Sequence, residues 1–374
     1  MSIVRLRRSR ALVITFANAT AVAHNFITRQ SGWCPAPGFD LLCRADQWEP
    51  IGSLVSAWPT LDPGVVSQWI GYLVERSFLV VEGTDAAALD AEYERVWQWG
   101  EVAGFYHFAL KDAPYMTTPQ AAQWMEHRGR TAPAVPLYTT NSACGHVIQL
   151  DSPDLQRGPL PAMAARRSVR TFLREPIPLA ALRDCLFAGF GVTGFLDTGI
   201  VGSRELPLKM APSGGGRNPY EAYVYVRRVE GVPAGIYHYS AAEHSLGLLD
   251  DTPSIAPADL LIGQHWADDC GAVVLLVANF DRTMWKYPNA TAYRVVLLEA
   301  GHIAQNVALA AAAHGLNSTP TAAFSDTLAH RLLRLAWITQ SLIYAILIGK
   351  GDPRSFEYRQ FKPHSRRTAD RASG

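Results

Sequence analysis

Residues 211–221 read Ala-Pro-Ser-Gly-Gly-Gly-Arg-Asn-Pro-Tyr-Glu, and the rest of the chain can be organised around them. The glycine run leads at once into an alternating β-branched and aromatic segment at residues 222–226, which predicts a loop followed by a strand. Three consecutive glycines let the backbone pass close to a flat or anionic ligand, because no Cβ intervenes. Ser213, Arg217 and Asn218 add hydrogen-bond donors at the same place. Taken alone, the stretch also fits a mobile surface loop.

The composition is that of a globular chain of about two domains. The 374 residues are 48% hydrophobic and 18% charged, and 34 basic against 33 acidic side chains leave a net charge of +1. No global field therefore attracts nucleic acid or an anionic membrane. The five cysteines are scattered without a CxxC pair, so neither a disulfide framework nor a metal site is predicted. No uninterrupted run approaches the roughly 20 apolar residues of a membrane span. The scattered cysteines are typical of a reducing compartment, so we expect a cytoplasmic protein.

The first 85 residues have the pattern of a small mixed module. The pattern predicts two strands, two or three helices and a closing strand at residues 11–27, 39–57, 63–75 and 77–81. Asp62 precedes Pro63, where it is placed to cap a helix. The order resembles a winged-helix domain, but the helix at 63–75 has no basic residue for a DNA backbone. We therefore predict that residues 1–85 dock a peptide or a partner protein and that the chain binds no nucleic acid.

Residues 86–158 are predicted to form a helical and then irregular connector. Residues 84–100 carry apolar side chains at helical spacing, whereas residues 111–154 are rich in proline, threonine and small residues. Segments of that second kind usually run over the protein surface.

From residue 159 to residue 362 the pattern alternates strands and helices. The predicted helices and strands cover residues 179–190, 222–229, 232–239, 246–249, 257–262, 271–279, 291–313 and 341–348. The continuous apolar runs at 271–279 and 341–348 indicate strands that are buried on both faces. The segment 291–313 is apolar nearly all round, which indicates a buried helix. Residues 363–374 form a basic, polar tail that is predicted to be disordered.

A cluster of arginines stands near the start of this part. Arg166, Arg167 and Arg170 surround Ser168, shortly before the predicted helix at 179–190. Guanidinium groups match the oxygens of a phosphate in a bidentate manner. The cluster is therefore a candidate phosphate clamp.

Five short motifs together make residues 160–362 resemble the FMN-dependent nitroreductases and, within them, the SagB-type dehydrogenases that mature ribosomal peptides. The motifs are Arg-Arg-Ser-Val-Arg at 166–170, Ala-Pro-Ser-Gly-Gly at 211–215, Gly-Ile-Tyr-His-Tyr at 235–239, Tyr-Arg at 293–294 with Leu-Glu-Ala-Gly-His-Ile-Ala-Gln-Asn at 298–306, and Gly-Leu-Asn-Ser at 315–318. The resemblance implies an α+β fold, a mostly antiparallel sheet with helices on both faces, in a homodimer. The winged-helix-like module would precede it.

The resemblance also implies FMN as the cofactor. In the family, the arginine motif holds the phosphate, the ribityl chain and the pyrimidine edge, and the Pro-Ser loop reaches the flavin of the other subunit. The segment after the long helix lies against the isoalloxazine. A basic residue beyond the last strand reaches the phosphate, and Lys350, Arg354, Arg359 and Lys362 are the alternatives for that role. The predicted cofactor-binding residues are Arg166, Arg167, Ser168, Arg170, Pro212, Ser213, Gly214, Asn218, Gln305, Thr321, Ala322, Ala323 and Arg359.

Lys286 and Tyr287 are the predicted catalytic residues. In azoline-oxidising members of the family, a Lys-Tyr pair at this place is regarded as the base and its partner. Aromatising an azoline removes a proton from one ring carbon and a hydride from the other. Desolvation lowers the pKa of a lysine, so a lysine beside the flavin can accept that proton. Alternatively, Lys286 is an ordinary exposed lysine in a polar loop.

The favoured function is thus the FMN-dependent oxidation of a modified ribosomal peptide, from azoline to azole. Its partners would be a modified precursor peptide and a cyclodehydratase. One alternative is an NAD(P)H-using FMN reductase of dehydroamino acids, nitro compounds or quinones. Another is a peptide-docking scaffold whose flavin site is incidental. Residues 208–211 and Asn218 differ from the residues that members of the family often have there, which leaves the peptide and the ring type open.

Overall fold

The computed structural model describes residues 4–131, 156, 158–198 and 205–355. The predicted tail at 363–374 and two of the alternative phosphate ligands, Arg359 and Lys362, lie outside these residues.

The N-terminal part is a mixture of short strands and helices. Its elements are β1 (Arg5–Arg8), β2 (Leu12–Ala17), β3 (Thr20–Asn25), β4 (Gln30–Trp33), α1 (Ala36–Arg44), β5 (Glu49–Pro50), α2 (Ile51–Ser56), α3 (Pro63–Glu75) and β6 (Leu79–Val81). The strands form two three-stranded antiparallel sheets, in the orders β5-β1-β6 and β2-β3-β4. The Asp62 cap is confirmed, because its carboxylate accepts hydrogen bonds from the amides of Gly64 and Val65. The winged-helix resemblance stays a prediction.

The predicted connector begins with two helices that pack into the main core. Helices α4 (Asp85–Val96), α5 (Gly100–Ala109) and α6 (Thr118–Thr131) follow the N-terminal part. Trp97, Trp99 and Phe108 belong to the same buried cluster as the large sheet of the C-terminal part. The indole Nε1 of Trp99 donates to the Tyr287 carbonyl oxygen at 2.9 Å. Residues 85–109 therefore support the loop that contains the predicted catalytic pair.

The C-terminal part is built on a six-stranded sheet. Its elements are α7 (Leu160–Ala165), α8 (Leu179–Phe190), β7 (Val192–Asp197), β8 (Glu205–Lys209), β9 (Tyr220–Val226), β10 (Gly235–Ser240), β11 (Ser245–Asp250), α9 (Pro257–Leu260), β12 (Ala272–Asn279), α10 (Phe280–Met284), α11 (Thr291–Ala313), β13 (Asn317–Thr321), α12 (Asp326–Leu333) and β14 (Gln340–Gly349). The strand order is β11-β10-β9-β12-β14-β13, every pair is antiparallel, and β7 and β8 form a separate hairpin.

Helices cover both faces of this sheet, as expected. One face packs against α8 and α11, and the other packs against α9 and α12. Strand β12 is buried at seven of its eight positions, which explains its continuous apolar run. The α+β class with an antiparallel sheet is confirmed.

Helix α11 is, within the described residues, the one helix long and apolar enough to cross a membrane by length and composition. It packs against α8 and the sheet, as the core helix of a globular domain does. Arg294, Glu299 and His302 interrupt its apolar run, and its sequence predicts a buried helix rather than a membrane span.

Candidate functional site

The glycine loop, residues 211–219, makes a tight turn that requires its glycines. Gly215 and Gly216 have positive φ values of 62° and 68°, within a short 3-10 turn. A residue with a Cβ is strained in that left-handed region. The Ser213 hydroxyl accepts a hydrogen bond from the Asn218 amide at 2.8 Å and closes the turn. The Asn218 side chain donates to the Pro207 carbonyl oxygen at 3.0 Å, which ties the loop to β8.

The loop lies directly on helix α11. The Gly214 amide donates to Glu299 Oε1 at 2.6 Å. A Cβ on Gly214 would lie 2.6 Å from a methyl group of Val295, so the loop approaches the helix as closely as it can. Burial raises the pKa of the Glu299 carboxyl group, although the Gly214 amide and the Ser213 hydroxyl oppose the shift. These contacts hold the predicted Pro212–Gly214 segment in place.

Lys286 and Tyr287 lie against the same turn. They follow α10, and Lys286 Nζ donates to the Gly215 carbonyl oxygen at 3.3 Å. A Cβ on Gly215 would lie 2.8 Å from Lys286 Nζ and would also collide with the Tyr287 hydroxyl. Lys286 is exposed and Tyr287 is half-buried. The structure thus brings the predicted catalytic pair together with the predicted flavin loop.

One ionisable side chain at this place, Lys209, lies outside the predicted set. It is half-buried at the end of β8 and lines a small cavity with Ser213, Asn218 and Glu299. Burial lowers the pKa of Lys209, while the nearby carboxylates Glu221 and Glu299 act in the opposite direction. No local pattern distinguishes Lys209 from a surface lysine, because its burial comes from contacts with distant segments.

The arginine motif, residues 166–170, runs beside strand β13. Ser168 forms a parallel bridge with Ser318, and the Val169 carbonyl oxygen accepts a hydrogen bond from the Thr319 hydroxyl. Arg166 and Arg167 are half-buried and Arg170 is exposed. One guanidinium nitrogen of Arg166 lies 3.4 Å from the Ser168 hydroxyl. The motif therefore stands at the end of the sheet where β13 begins.

Two side chains outside the predicted set hold residues 321–323. Gln264 Nε2 donates to the Ala323 carbonyl oxygen at 3.0 Å, and the Tyr115 hydroxyl donates to the Ala322 carbonyl oxygen at 3.0 Å. Tyr115 comes from the segment between α5 and α6, about 200 residues earlier in the chain. Neither position carries a sequence signal, because each acts only through its neighbours in the fold.

The remaining predicted residues are placed as follows. Gln305 is exposed on α11, whereas the neighbouring Asn306 donates to the Ala188 carbonyl oxygen at 3.1 Å and joins α11 to α8. Lys350 makes an ion pair with Glu175 at 3.0 Å, and Arg354 makes one with Asp352 at 3.0 Å.

Within one chain, the arginine motif and the glycine loop contact different elements. The loop contacts Glu299 of α11, whereas Ser168 bridges to β13, which follows α11.

Fold and site together define an oxidoreductase domain of the nitroreductase type. The Nitroreductase family profile matches residues 163–350. "Putative nitroreductase MJ1384" of Methanocaldococcus jannaschii is 33% identical over 193 residues, which cover 51% of this chain and 92% of that protein. The chain belongs to the nitroreductase family, whose members are typically flavin-dependent oxidoreductases.

Two further similarities are to a toxin-processing protein and to a solved synthetase complex. The trifolitoxin-processing protein TfxB of Rhizobium leguminosarum bv. trifolii is 29% identical over 145 residues, which span 37% of this chain and 39% of TfxB. The solved structure of the Escherichia coli microcin synthetase McbBCD complex, with truncated pro-MccB17 bound, matches with 17% identity and a TM-score of 0.44. That match covers 71% of this chain and 92% of the matched chain.

Proposed function

We propose that this protein is an FMN-dependent dehydrogenase that oxidises an azoline ring of a modified ribosomal peptide to an azole. The observation that carries the proposal is the position of Lys286 and Tyr287 against Gly215 of the glycine loop. Reduction of a nitro group or a quinone by a flavin needs no protein base at this position. The similarity to TfxB, a toxin-processing protein, supports a peptide as the substrate.

The residues present fit a flavin mononucleotide. Arg166 and Arg167 offer half-buried guanidinium groups for a phosphate, and the Pro212–Gly214 segment is the proposed contact with the ring. Arg170 is the proposed cation for the pyrimidine edge, and residues 321–323 are the proposed wall beside the ring. When bound, the cofactor supplies the hydride acceptor of the reaction.

A homodimer is part of the proposal, because the Pro-Ser loop reaches the flavin of the other subunit in the family that the sequence resembles. The arginine motif of one copy and the Pro212–Gly214 loop of the other would then contact the same cofactor. Helix α11 offers a face for such contact. The apolar side chain of Leu298 is 57% exposed there, and His302 and Gln305 are exposed on the same side. Residues three, four and seven apart share one face of a helix.

Lys286 is the proposed base. Its amine would take the proton from one ring carbon while the hydride leaves the adjacent carbon. The hydrogen bond to the Gly215 carbonyl oxygen keeps the amine at the loop. The Tyr287 hydroxyl, which lies against the same glycine, is placed to hold or relay the proton. Lys286 is exposed in the single chain, so the desolvation that a lysine base needs would have to come from the bound cofactor and substrate.

The N-terminal part is the proposed docking module for the peptide or for a partner such as a cyclodehydratase. The exposed side of α3 carries Val65 and Gln68 and no basic residue. Trp33 is 53% exposed on the edge strand β4 and stacks edge-on with Trp69 of α3 at 5.9 Å. An extended peptide can pair with such a strand edge and place apolar side chains on the aromatic rings.

The test is the oxidation rate of the native modified peptide by Lys286→Ala. Arg183→Ala, at an exposed arginine outside the predicted site, is the control. Loss of a positioned base slows turnover by about 10²-fold or more. We expect that loss for Lys286→Ala with unchanged flavin content, and wild-type rates for Arg183→Ala. Full turnover by Lys286→Ala on this substrate would remove the proposed base, and the NAD(P)H-dependent reductase would then be the better function.

A further inference from the structure

A cavity on the sheet face that packs against α12 is separate from the candidate flavin site. Its volume is about 490 Å³. Tyr223 of β9 and His238 of β10 form the floor, and residues from β11 and the end of α12 form the walls. The glycine loop contacts α11, which covers the opposite face of the sheet. We name this space the α12 cavity.

Several hydrogen-bond donors around the α12 cavity have no partner within the described chain. They are the hydroxyls of Tyr223 and Ser254 and the guanidinium groups of Arg331 and Arg334. No described carboxylate lies within ion-pair distance of either arginine. Burial raises the pKa of Tyr223, so its hydroxyl remains a donor at neutral pH.

The other polar groups of the cavity are already engaged. His238 Nε2 lies 3.0 Å from Glu221 Oε2, and Glu221 also pairs with Arg282. Asp250 accepts a hydrogen bond from the Thr252 amide at 3.0 Å. Apart from the second carboxylate oxygen of Asp250, the unengaged groups can donate hydrogen bonds, and two of them are cations. Such a set matches a ligand group that only accepts hydrogen bonds.

The remaining walls are apolar. Leu249, Ile255, Leu332 and Leu333 line the cavity beside the Tyr223 ring. The volume exceeds that of an inorganic anion and lies in the range of pockets for small organic ligands. We propose that the α12 cavity binds a small organic anion, with a carboxylate or phosphate ester between Arg331 and Arg334 and an apolar or aromatic body over Tyr223.

Isothermal titration calorimetry of the full chain with three probes tests this site. The probes are 3-phenylpropionate, phenyl phosphate and the neutral 3-phenylpropanol. Saturable binding of at least one anion, and about ten-fold or more weaker binding of the alcohol, supports the proposal. The relative affinity of the two anions distinguishes a carboxylate site from a phosphate-ester site. Equal binding of the alcohol, or no saturable binding of either anion, overturns it.

Variants locate the binding. Arg331→Gln with Arg334→Gln is expected to weaken the bound anion by about ten-fold or more, because charge-assisted hydrogen bonds are lost. Tyr223→Phe is expected to weaken it to a smaller extent while the ring keeps its packing. Arg44→Gln, at an exposed arginine paired with Asp40, is the matched control and is expected to bind normally. An equal loss in Arg44→Gln, or no loss in the double variant, would show that the anion binds elsewhere.

Discussion

Replacement of Lys111 by methionine should abolish a pH dependence of stability that one buried amine creates. Lys111 is only 4% exposed. Its Nζ lies 3.1 Å from His330 Nε2, donates to the Trp337 carbonyl oxygen at 3.2 Å, and stands 4.0 Å from the centroid of the Trp337 ring. Burial lowers the pKa of Lys111 from its ordinary value of 10.5 to about 7, against the pull of Asp326 and Asp112.

The sign follows from proton linkage. Between pH 7 and pH 10.5 the unfolded chain holds the Lys111 proton and the folded chain releases it, so stability rises with pH in that window. At about 1.4 kcal/mol per pKa unit, the rise from pH 7 to pH 10 is roughly 3 to 4 kcal/mol for this one group. Below pH 7 both states are protonated, and this contribution no longer changes.

The assay is urea unfolding at several values between pH 7 and pH 10. Tyrosines and cysteines also titrate there, but they do so in the wild type and in Lys111→Met alike. The difference between the two curves therefore isolates the amine. Lys350→Met, at an exposed lysine, is the matched control and should follow the wild type. Parallel curves for wild type and Lys111→Met across this range would refute the reasoning.

Four further outcomes are expected. The protein should purify yellow with FMN, and Arg166→Ala should lose the cofactor first, as heat release and mass spectrometry would show; a colourless protein that takes up no FMN contradicts the proposed cofactor. Sedimentation should give twice the 41.0 kDa chain, and a monomer that keeps its flavin contradicts the shared site. Gly215→Ala should displace Lys286 and Tyr287 and lower turnover. Gly231→Ala is the control and should not, because Gly231 has a similar φ but no atom lies within 4 Å of the added Cβ. The protein should not bind duplex DNA in a mobility shift assay, and salt-sensitive duplex binding would contradict the prediction that the chain binds no nucleic acid.

Local pattern was sufficient to predict many elements of this fold. Helices α8 and α11 begin and end at the predicted residues, 179–190 and 291–313. Strands β12 and β14 were recognisable because burial on both faces requires an uninterrupted apolar run. The cap at Asp62 depends on hydrogen bonds within three residues of chain. In each case the signal is local. It is either a contact between residues close in the sequence or a continuous pattern of apolar side chains.

Other features depend on tertiary contacts and left no readable pattern. Strand β13 contains Thr319, Pro320 and Thr321, and it becomes a strand because it pairs with the edge of β14. Lys209 and Lys111 look like surface lysines in the sequence, yet distant segments bury both and lower their pKa values. The contact of the glycine loop with Glu299 of α11 is likewise a property of the fold, since it joins residues 85 positions apart. Motifs show which residue types are present, whereas burial and long-range contacts arise only when remote parts of the chain pack together.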